Sequence, residues 1–227
     1  MRLTFHLAGI NNQNFIMRDE ETGTYWQQIT GLAISGPLKG TRLTLVPSDE
    51  LNFATWKAEQ PGGTVLNDIP KYAAEYSPEN WDVRMSRAPV VISFREHGLK
   101  DRDLMLGIQA FGVSRAYLYA QVKKEKVVKD YMGGQAILLV VGPDEESVRA
   151  FRNRITGTNQ ASDFYRIVAN AQGSLLMDAA TGSEWNFQGC AILGTSKGQC
   201  LAQLPMLKDY WFDWRNYNPT TTIYGKK

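Results

Sequence analysis

The sequence predicts a β-rich α+β fold in which two related units share one architecture. Short alternating or apolar segments are separated by glycine-rich turns, which is typical of strands in antiparallel sheets. The segments 48–60 and 208–217 carry aromatic residues three apart and predict short helices. Glycine, tryptophan and proline recur at matching spacings in both halves of the chain. We therefore predict two strand–turn–helix–strand units with mainly antiparallel sheet and short helices.

The two units are predicted from an internal repeat, which links residues 17–66 to residues 177–224. The matched positions in the first copy are Asp19, Thr22, Gly23, Trp26, Gly31, Gly36, Gly40, Pro47 and Trp56. The matched positions in the second copy are Asp178, Thr181, Gly182, Trp185, Gly189, Gly194, Gly198, Pro205 and Trp214. A spacing kept over so many turn-forming and aromatic positions indicates an internal duplication.

The first unit, residues 1–66, is predicted from local patterns. The expected elements are strands at 3–8, 15–18, 24–29 and 41–46, a capped helix at 48–60 and a closing strand at 64–66. Asp19 and Gly23 bound a predicted hairpin tip, because Asp accepts turn hydrogen bonds and Gly adopts positive φ. Phe53 and Trp56 share one helix face, and we expect both to be buried against the sheet of their own unit.

The rest of the chain is divided into a connector and a complete second unit. Residues 67–103 hold prolines, aromatics and many charges, and predict an ordered connector with one strand at 90–94. In residues 104–227 we expect strands at 104–108, 113–119, 126–131, 136–141, 164–168, 175–177 and 220–224. Pro143 followed by three acidic residues predicts a helix with Val148, Phe151 and Ile155 on its apolar face and with Arg149, Arg152 and Arg154 on its solvated side. We expect both units to fuse into one globular body.

Composition excludes several classes of protein. The chain has 227 residues, with 25 basic and 23 acidic side chains, and its net charge of +2 argues against general nucleic-acid binding. No stretch approaches the roughly 20 apolar residues of a membrane-spanning helix, and residues 1–10 do not resemble a signal peptide. Cys190 and Cys200 flank one turn, so a disulfide is possible, but we favour two small buried thiols because the first copy has Leu32 and Arg42 there.

Residues that could carry chemistry are few. The chain has two histidines, far apart, and it has no metal-ligand, nucleophile-elbow or phosphate-loop motif, so we predict no metal site and no cofactor. Asp19, Glu21 and His6 are the weak candidates for a hydrolytic site. Trp26 and Trp185 are weak candidates for lining a ligand groove, although a repeated aromatic core explains their spacing better.

With these motifs described, the chain resembles a bacterial and archaeal family known as domain of unknown function 3179. The resemblance rests on the pattern over 19–47, the two aromatic helices, the segment 104–109, Arg115-Ala-Tyr117 and Lys129-Asp-Tyr-Met-Gly-Gly134. It implies two tandem modules, each with a front and a back half, and no established activity. It further implies that the first front half, which carries a Cys-Pro-x-x-Cys-like motif in the family, is missing from this chain.

The sequence therefore favours a non-catalytic binding or scaffold module. One alternative is the larger part of a thiol or metal redox protein whose active half is missing. A second alternative is a hydrolase that uses Asp19 or Glu21 with His6. Because the first unit lacks neighbours for its sheet, three arrangements are open: the second unit covers it within one fused body, which we favour, a second copy covers it in a homodimer, or a separate partner covers it.

Overall fold

The computed structural model describes residues 2–11, 14–155, 161–168 and 172–226. The strands are β1 (Phe5–Asn11), β2 (Asn14–Asp19), β3 (Tyr25–Gln27), β4 (Ala33–Ser35), β5 (Leu104–Ala110), β6 (Val113–Leu118), β7 (Val127–Met132), β8 (Gln135–Val141), β9 (Val148–Arg152), β10 (Phe164–Arg166), β11 (Leu176–Asp178), β12 (Glu184–Trp185), β13 (Ala191–Leu193), β14 (Gln203–Leu204), β15 (Leu207–Tyr210) and β16 (Thr222–Ile223). The α-helices are α1 (Phe53–Glu59), α2 (Trp81–Arg87), α3 (Tyr119–Glu125) and α4 (Trp211–Tyr217), and a 3-10 helix spans Pro70–Glu75.

Within the described residues the strands form four sheets of four strands each. The first meander has the order β1-β2-β3-β4, and the second meander has the order β10-β11-β12-β13. The core sheet has the order β14-β9-β8-β7, and the hairpin sheet has the order β15-β5-β6-β16. Only the β16–β6 pair among these is parallel. The prediction of a β-rich, mainly antiparallel fold with short helices is therefore confirmed.

Strand β8 separates two hydrophobic cores, because its successive side chains point to opposite faces. Ile137, Leu139 and Val141 pack toward the hairpin sheet. Leu138 and Val140 pack toward the second meander. All five side chains are fully buried, which confirms the prediction that 136–141 is a strand buried on both faces.

Helix α4 covers the outer face of the hairpin sheet. Trp211 and Trp214 pack there with Met105 of β5 and Ala116 of β6. A Cβ on Gly107 would lie 2.2 Å from the Trp214 ring, so only glycine allows the indole to lie on the strand. The order of layers is then α4, hairpin sheet, core sheet and second meander.

The first unit is held to this body through Arg149 of β9. Its guanidinium donates two hydrogen bonds to Asp49, at 3.0 and 2.7 Å, and two to Glu59, at 2.8 and 2.7 Å. The guanidinium also lies 4.4 Å from the centre of the Phe187 ring. Residues 49–59, which include α1, are therefore fixed against the core sheet.

The two meanders contain matching hairpin tips. In the first, Asp19 accepts hydrogen bonds from the Thr22 hydroxyl and from Trp26 Nε1, the latter at 2.7 Å. In the second, Asp178 accepts the same bonds from Thr181 and from the indole of Trp185, the latter at 2.8 Å. Each aspartate closes its turn and anchors the buried tryptophan.

The predicted helix after Pro143 is wrong. Residues 148–152 form β9, in which Val148 and Ala150 face one core while Arg149 and Phe151 face the other. Val148 and Phe151 also fit a helical period, so the apolar residues alone do not distinguish the two structures. Placing Arg149 on a solvated face was wrong as well, since its exposure is 4%.

Several predicted boundaries also differ from the structure. The expected strands at 64–66 and 90–94 are not formed, and 41–46 contributes a single bridge residue, Arg42. The connector 67–103 holds the 3-10 helix and α2 instead. The predicted helix over 208–217 is a strand followed by α4, because 207–210 pairs with β5 before the chain turns.

The expectation of free thiols at Cys190 and Cys200 is wrong, because the two residues form a disulfide. They are directly opposed across an isolated antiparallel bridge, with Cα atoms 4.0 Å apart. Leu32 and Arg42 are opposed in the same way in the first unit. The backbone therefore brings both pairs together, and side-chain identity decides which of them is cross-linked.

The two aromatic helices differ in burial. Trp211 at the start of α4 is fully buried, whereas Phe53 at the start of α1 is 63% exposed, so the prediction that Phe53 is buried is wrong. The hairpin sheet covers α4, and the described residues provide no equivalent sheet over Phe53.

We expect Trp211→Ala to lower the free energy of unfolding by about 3–5 kcal/mol, because it removes an enclosed ring. The matched variant Phe53→Ala removes an exposed ring and should change it by no more than about 0.5 kcal/mol. Denaturant unfolding of both variants measures the difference. Equal losses would contradict the burial assigned to these two positions.

Candidate functional site

A cavity of about 290 Å³ lies between the first unit and the hairpin sheet, and we call it the inter-unit cavity. The residues lining it are Asn14, Gln28, Ile29, Leu45, Val46, Ser48, Gly107, Gln109, Pro205, Met206, Leu207, Lys208, Asp209, Asp213, Trp214 and Asn218. Small-molecule sites combine apolar walls with a few convergent polar groups in this way.

Direct hydrogen bonds join the first unit to α4, and one of them lies at this cavity. Asn14 at the start of β2 donates from Nδ2 to Asp213 Oδ2 at 3.4 Å. The Tyr217 hydroxyl donates to the backbone oxygen of Asn11 at 3.0 Å. The Asn14 side chain is oriented by the Ile29 amide, which donates to Asn14 Oδ1 at 3.3 Å. The cavity wall is thus built from both units.

Two carboxyl groups converge inside the cavity. Asp213, in the first turn of α4, is 6% exposed, and its Oδ1 is buried without a hydrogen-bond partner in the described structure. Asp209, on β15, accepts a hydrogen bond from the Tyr210 amide on Oδ1 at 2.7 Å. The two side chains are within hydrogen-bonding reach of each other. A buried carboxylate oxygen without a donor is costly, so this arrangement requires either a proton or a ligand.

Burial is the main cause of unusual ionisation in this pair. It raises the pKa of Asp209 to about 8, and the negative charge of Asp213 adds to the effect. Burial also raises the pKa of Asp213, although hydrogen bonds from Asp209 and Asn14 oppose the rise. Arg102 lowers both values, but to a smaller extent. Near neutral pH the two carboxyl groups therefore share one proton.

The charged groups around the pair are largely occupied elsewhere. The Arg102 guanidinium stacks on the rings of Tyr210 and Phe212, at 4.8 Å from each, and donates to the Ala88 carbonyl. The Lys208 ammonium pairs with Glu50. The cavity therefore keeps a net negative charge at its carboxyl pair.

The structure does not bring His6 and Asp19 together. Phe5 pairs with Asp19 across β1 and β2, and His6 pairs with Arg18. Successive side chains of a strand point to opposite faces, so His6 and Asp19 lie on different faces of the first meander. His6 Nδ1 is 4.0 Å from Glu20 at the exposed surface.

The other predicted candidates have structural contacts. Burial by itself raises the pKa of Asp19, but hydrogen bonds from Trp26, Thr22 and Thr24 outweigh it and lower the pKa below its ordinary value. Glu21 accepts a hydrogen bond from the Thr4 amide at 2.8 Å, which lowers its pKa. Trp26 is buried in the first unit and does not line the inter-unit cavity.

Trp185 is likewise buried, within the core that joins the core sheet to the second meander. Its ring lies edge-on to Phe164 with centroids 5.4 Å apart, and the Trp26 ring meets Phe5 in the same way at 6.0 Å. Both tryptophans therefore act as core residues in this structure.

Sequence reasoning missed Asp209 and Asp213, although a signal was present. The segment Asp-Tyr-Trp-Phe-Asp over 209–213 places two acids four residues apart around three aromatics. Their repeat counterparts are Leu51 and Thr55, so comparison of the two copies does not select them. Asp209 and Asp213 are among the acids that have no acidic counterpart in the other copy, and the three aromatics between them set this pair apart.

In the part of the chain that the structure describes, no group of three or more His, Cys, Asp or Glu side chains is arranged to hold a metal ion. The helices of that part include none that is long and apolar enough to span a bilayer.

A family model described as protein of unknown function, DUF3179, matches residues 1–221. No curated protein and no solved structure matches the chain.

The raised pKa of Asp209 predicts how stability depends on pH. The folded chain keeps a proton that an unfolded Asp, with a pKa of about 3.9, releases, so stability falls as pH rises from about 4 to about 8. Asp209→Asn should remove up to about 1.4 kcal/mol of that fall per pH unit. We expect the melting temperature of the variant, relative to that of wild type, to increase between pH 5 and pH 8.5.

The control is Asp68→Asn, which changes an exposed carboxyl outside the cavity. The difference between its melting temperature and that of wild type should be the same at every pH. A constant offset between Asp209→Asn and wild type would contradict the assigned ionisation.

Proposed function

This chain belongs to the family described as protein of unknown function DUF3179, and we propose that it is a non-catalytic binding module whose ligand site is the inter-unit cavity. The observation that carries the proposal is the carboxyl pair of Asp209 and Asp213, which lines a cavity of about 290 Å³ and holds a shared proton where no donor of the described residues reaches Asp213 Oδ1. A ligand that donates hydrogen bonds would take the place of this proton.

The proposal treats residues 1–66 and 104–227 as one fused body with 67–103 as the connector. Support comes from the four hydrogen bonds of Arg149 to Asp49 and Glu59, and from the contact between Asn14 and Asp213. Because residues of both units line the cavity, a ligand bound there would contact both units.

We also infer a common origin for the two units. The aspartate–threonine–tryptophan contacts of the two hairpin tips support it, as does the backbone at the helix ends. The C-cap residue of α1, Gln60, has φ −126° and ψ 68°. The C-cap residue of α4, Asn218, has φ −128° and ψ 65°. Both caps follow a helix of seven residues.

A second candidate function is protein association through the exposed apolar side of the first unit. Phe53 and Val65 are 63% and 61% exposed, whereas their counterparts Trp211 and Ile223 are 0% and 8% exposed. Exposed apolar patches of this kind often mark interfaces. We propose that a second copy of the chain covers this side.

Ligand binding is tested by screening small polar molecules against ¹⁵N-labelled protein and following the amides of residues 107–109 and 209–214. We expect fragments that shift these amides to lose binding at least about tenfold in Val46→Trp, because the new ring fills the cavity mouth. Val65→Trp adds the same ring to an exposed site outside the cavity lining and should leave binding unchanged. Fragment shifts that survive in Val46→Trp would contradict the assigned site.

Self-association is tested by sedimentation velocity over a range of protein concentrations. We expect a concentration-dependent dimer that Phe53→Ser shifts to monomer, because this change removes an exposed ring from the apolar side. Lys57→Ser, on an exposed position of the same helix, is the control. A chain that stays monomeric at all concentrations would contradict the homodimer.

A further inference from the structure

Two single carboxylate oxygens, one from each aspartate, determine which ligands suit the inter-unit cavity. Asp213 Oδ2 already accepts from Asn14, which leaves Oδ1 with only the proton shared with Asp209. Asp209 Oδ1 already accepts from the Tyr210 amide, which leaves Oδ2. A guanidinium binds best to both oxygens of one carboxylate, whereas an ammonium has three N–H donors that rotate to meet oxygens of separate groups. The geometry therefore favours an ammonium.

A metal ion is less well suited to the same place. Hard divalent cations require six or more oxygen ligands or water molecules around them. In the described residues no set of three or more acidic, histidine or cysteine side chains converges, and one oxygen of each aspartate is already engaged. Two free oxygens suit a group that brings its own donors.

The remaining cavity wall suits a short carbon chain. Ile29, Pro205 and Met206 supply apolar surface, and Gln28 and Gln109 supply amides at the edge. At about 30 Å³ per water molecule in the liquid, the cavity has room for a molecule of roughly ten non-hydrogen atoms.

We propose that the inter-unit cavity binds a small organic cation whose primary ammonium group displaces the proton shared by Asp209 and Asp213. The inference rests on the proposed function, since it assumes a ligand in this cavity. Before binding, two carboxyl groups and one proton carry one negative charge. On binding, the proton leaves to solvent and both carboxylates accept N–H bonds, so the charge of the occupied site is again −1.

The other charged and titratable side chains near the pair are engaged in other contacts and do not supply the N–H donors that the ligand would bring. Arg102 faces both carboxyl groups but is stacked on two rings, Lys208 pairs with Glu50, and the Tyr217 hydroxyl donates to a backbone oxygen. The pair holds its proton up to a pH of about 8. As pH increases toward that value, affinity for the cation should therefore rise about tenfold per pH unit, and above it the affinity should level off.

The test is isothermal titration calorimetry with 4-aminobutan-1-ol as the probe, in buffers of different ionisation enthalpy at pH 6.5. We expect release of about one proton per amine bound. Butane-1,4-diol, the neutral molecule of the same length, should bind at least about tenfold more weakly, because it lacks the charge. Asp213→Asn should weaken the amine by at least about tenfold, and Asp68→Asn should have no effect.

Proton release is measured on the unaltered protein, so the test does not depend on a variant that folds. Diol that binds as tightly as the amine, amine that binds without proton release, or no amine binding would each overturn the inference. If neutral or anionic fragments from the screen occupy the cavity while amines do not, the inference fails and the binding module stands. If nothing occupies the cavity, the proposed function itself fails.

Discussion

The buried Arg149 is the interaction on which the arrangement of the two units depends. Burial by itself lowers the pKa of its guanidinium, and the hydrogen bonds to Glu59 and Asp49 outweigh that effect and raise it. Losing one partner of such a pair costs far more than the pair contributes, because a charge is left desolvated. Leu45, Val46 and Ser48, which line the inter-unit cavity, directly precede Asp49. The anchor therefore positions one cavity wall.

The same residue explains where prediction from sequence succeeds and where it fails. The hairpin of β5 and β6, and strand β8, are predicted because their patterns are local and their partners lie close in sequence. The strand β9 is missed because Arg149 is neutralised by residues 100 and 90 positions earlier. In the sequence, an arginine that follows a proline and several acids indicates a helix with a solvated arginine. The carboxylates that neutralise its charge lie too far away along the chain to be recognised without the structure.

The candidate site shows a related limit of reasoning from the repeat. Asp19 was predicted as a weak candidate for chemistry, but Asp19 and the matching Asp178 each close a turn and hold a tryptophan. Repetition therefore selects residues that specify the architecture. Asp209 and Asp213 have no acidic counterpart in the first unit, and they converge only because β15 pairs with β5 and α4 follows directly.

The buried charged side chains differ in how completely the fold compensates them. Arg149 has four hydrogen bonds to two carboxylates, and Asp19 has donors from a threonine and an indole. Both are compensated within the protein, so their burial is explained by the fold. Asp213 is buried to a similar extent and accepts from Asn14, but its Oδ1 has no donor other than the proton shared with Asp209, and its pKa is raised. Because this proton completes the hydrogen bonding of the pair, a ligand that donates hydrogen bonds can take its place.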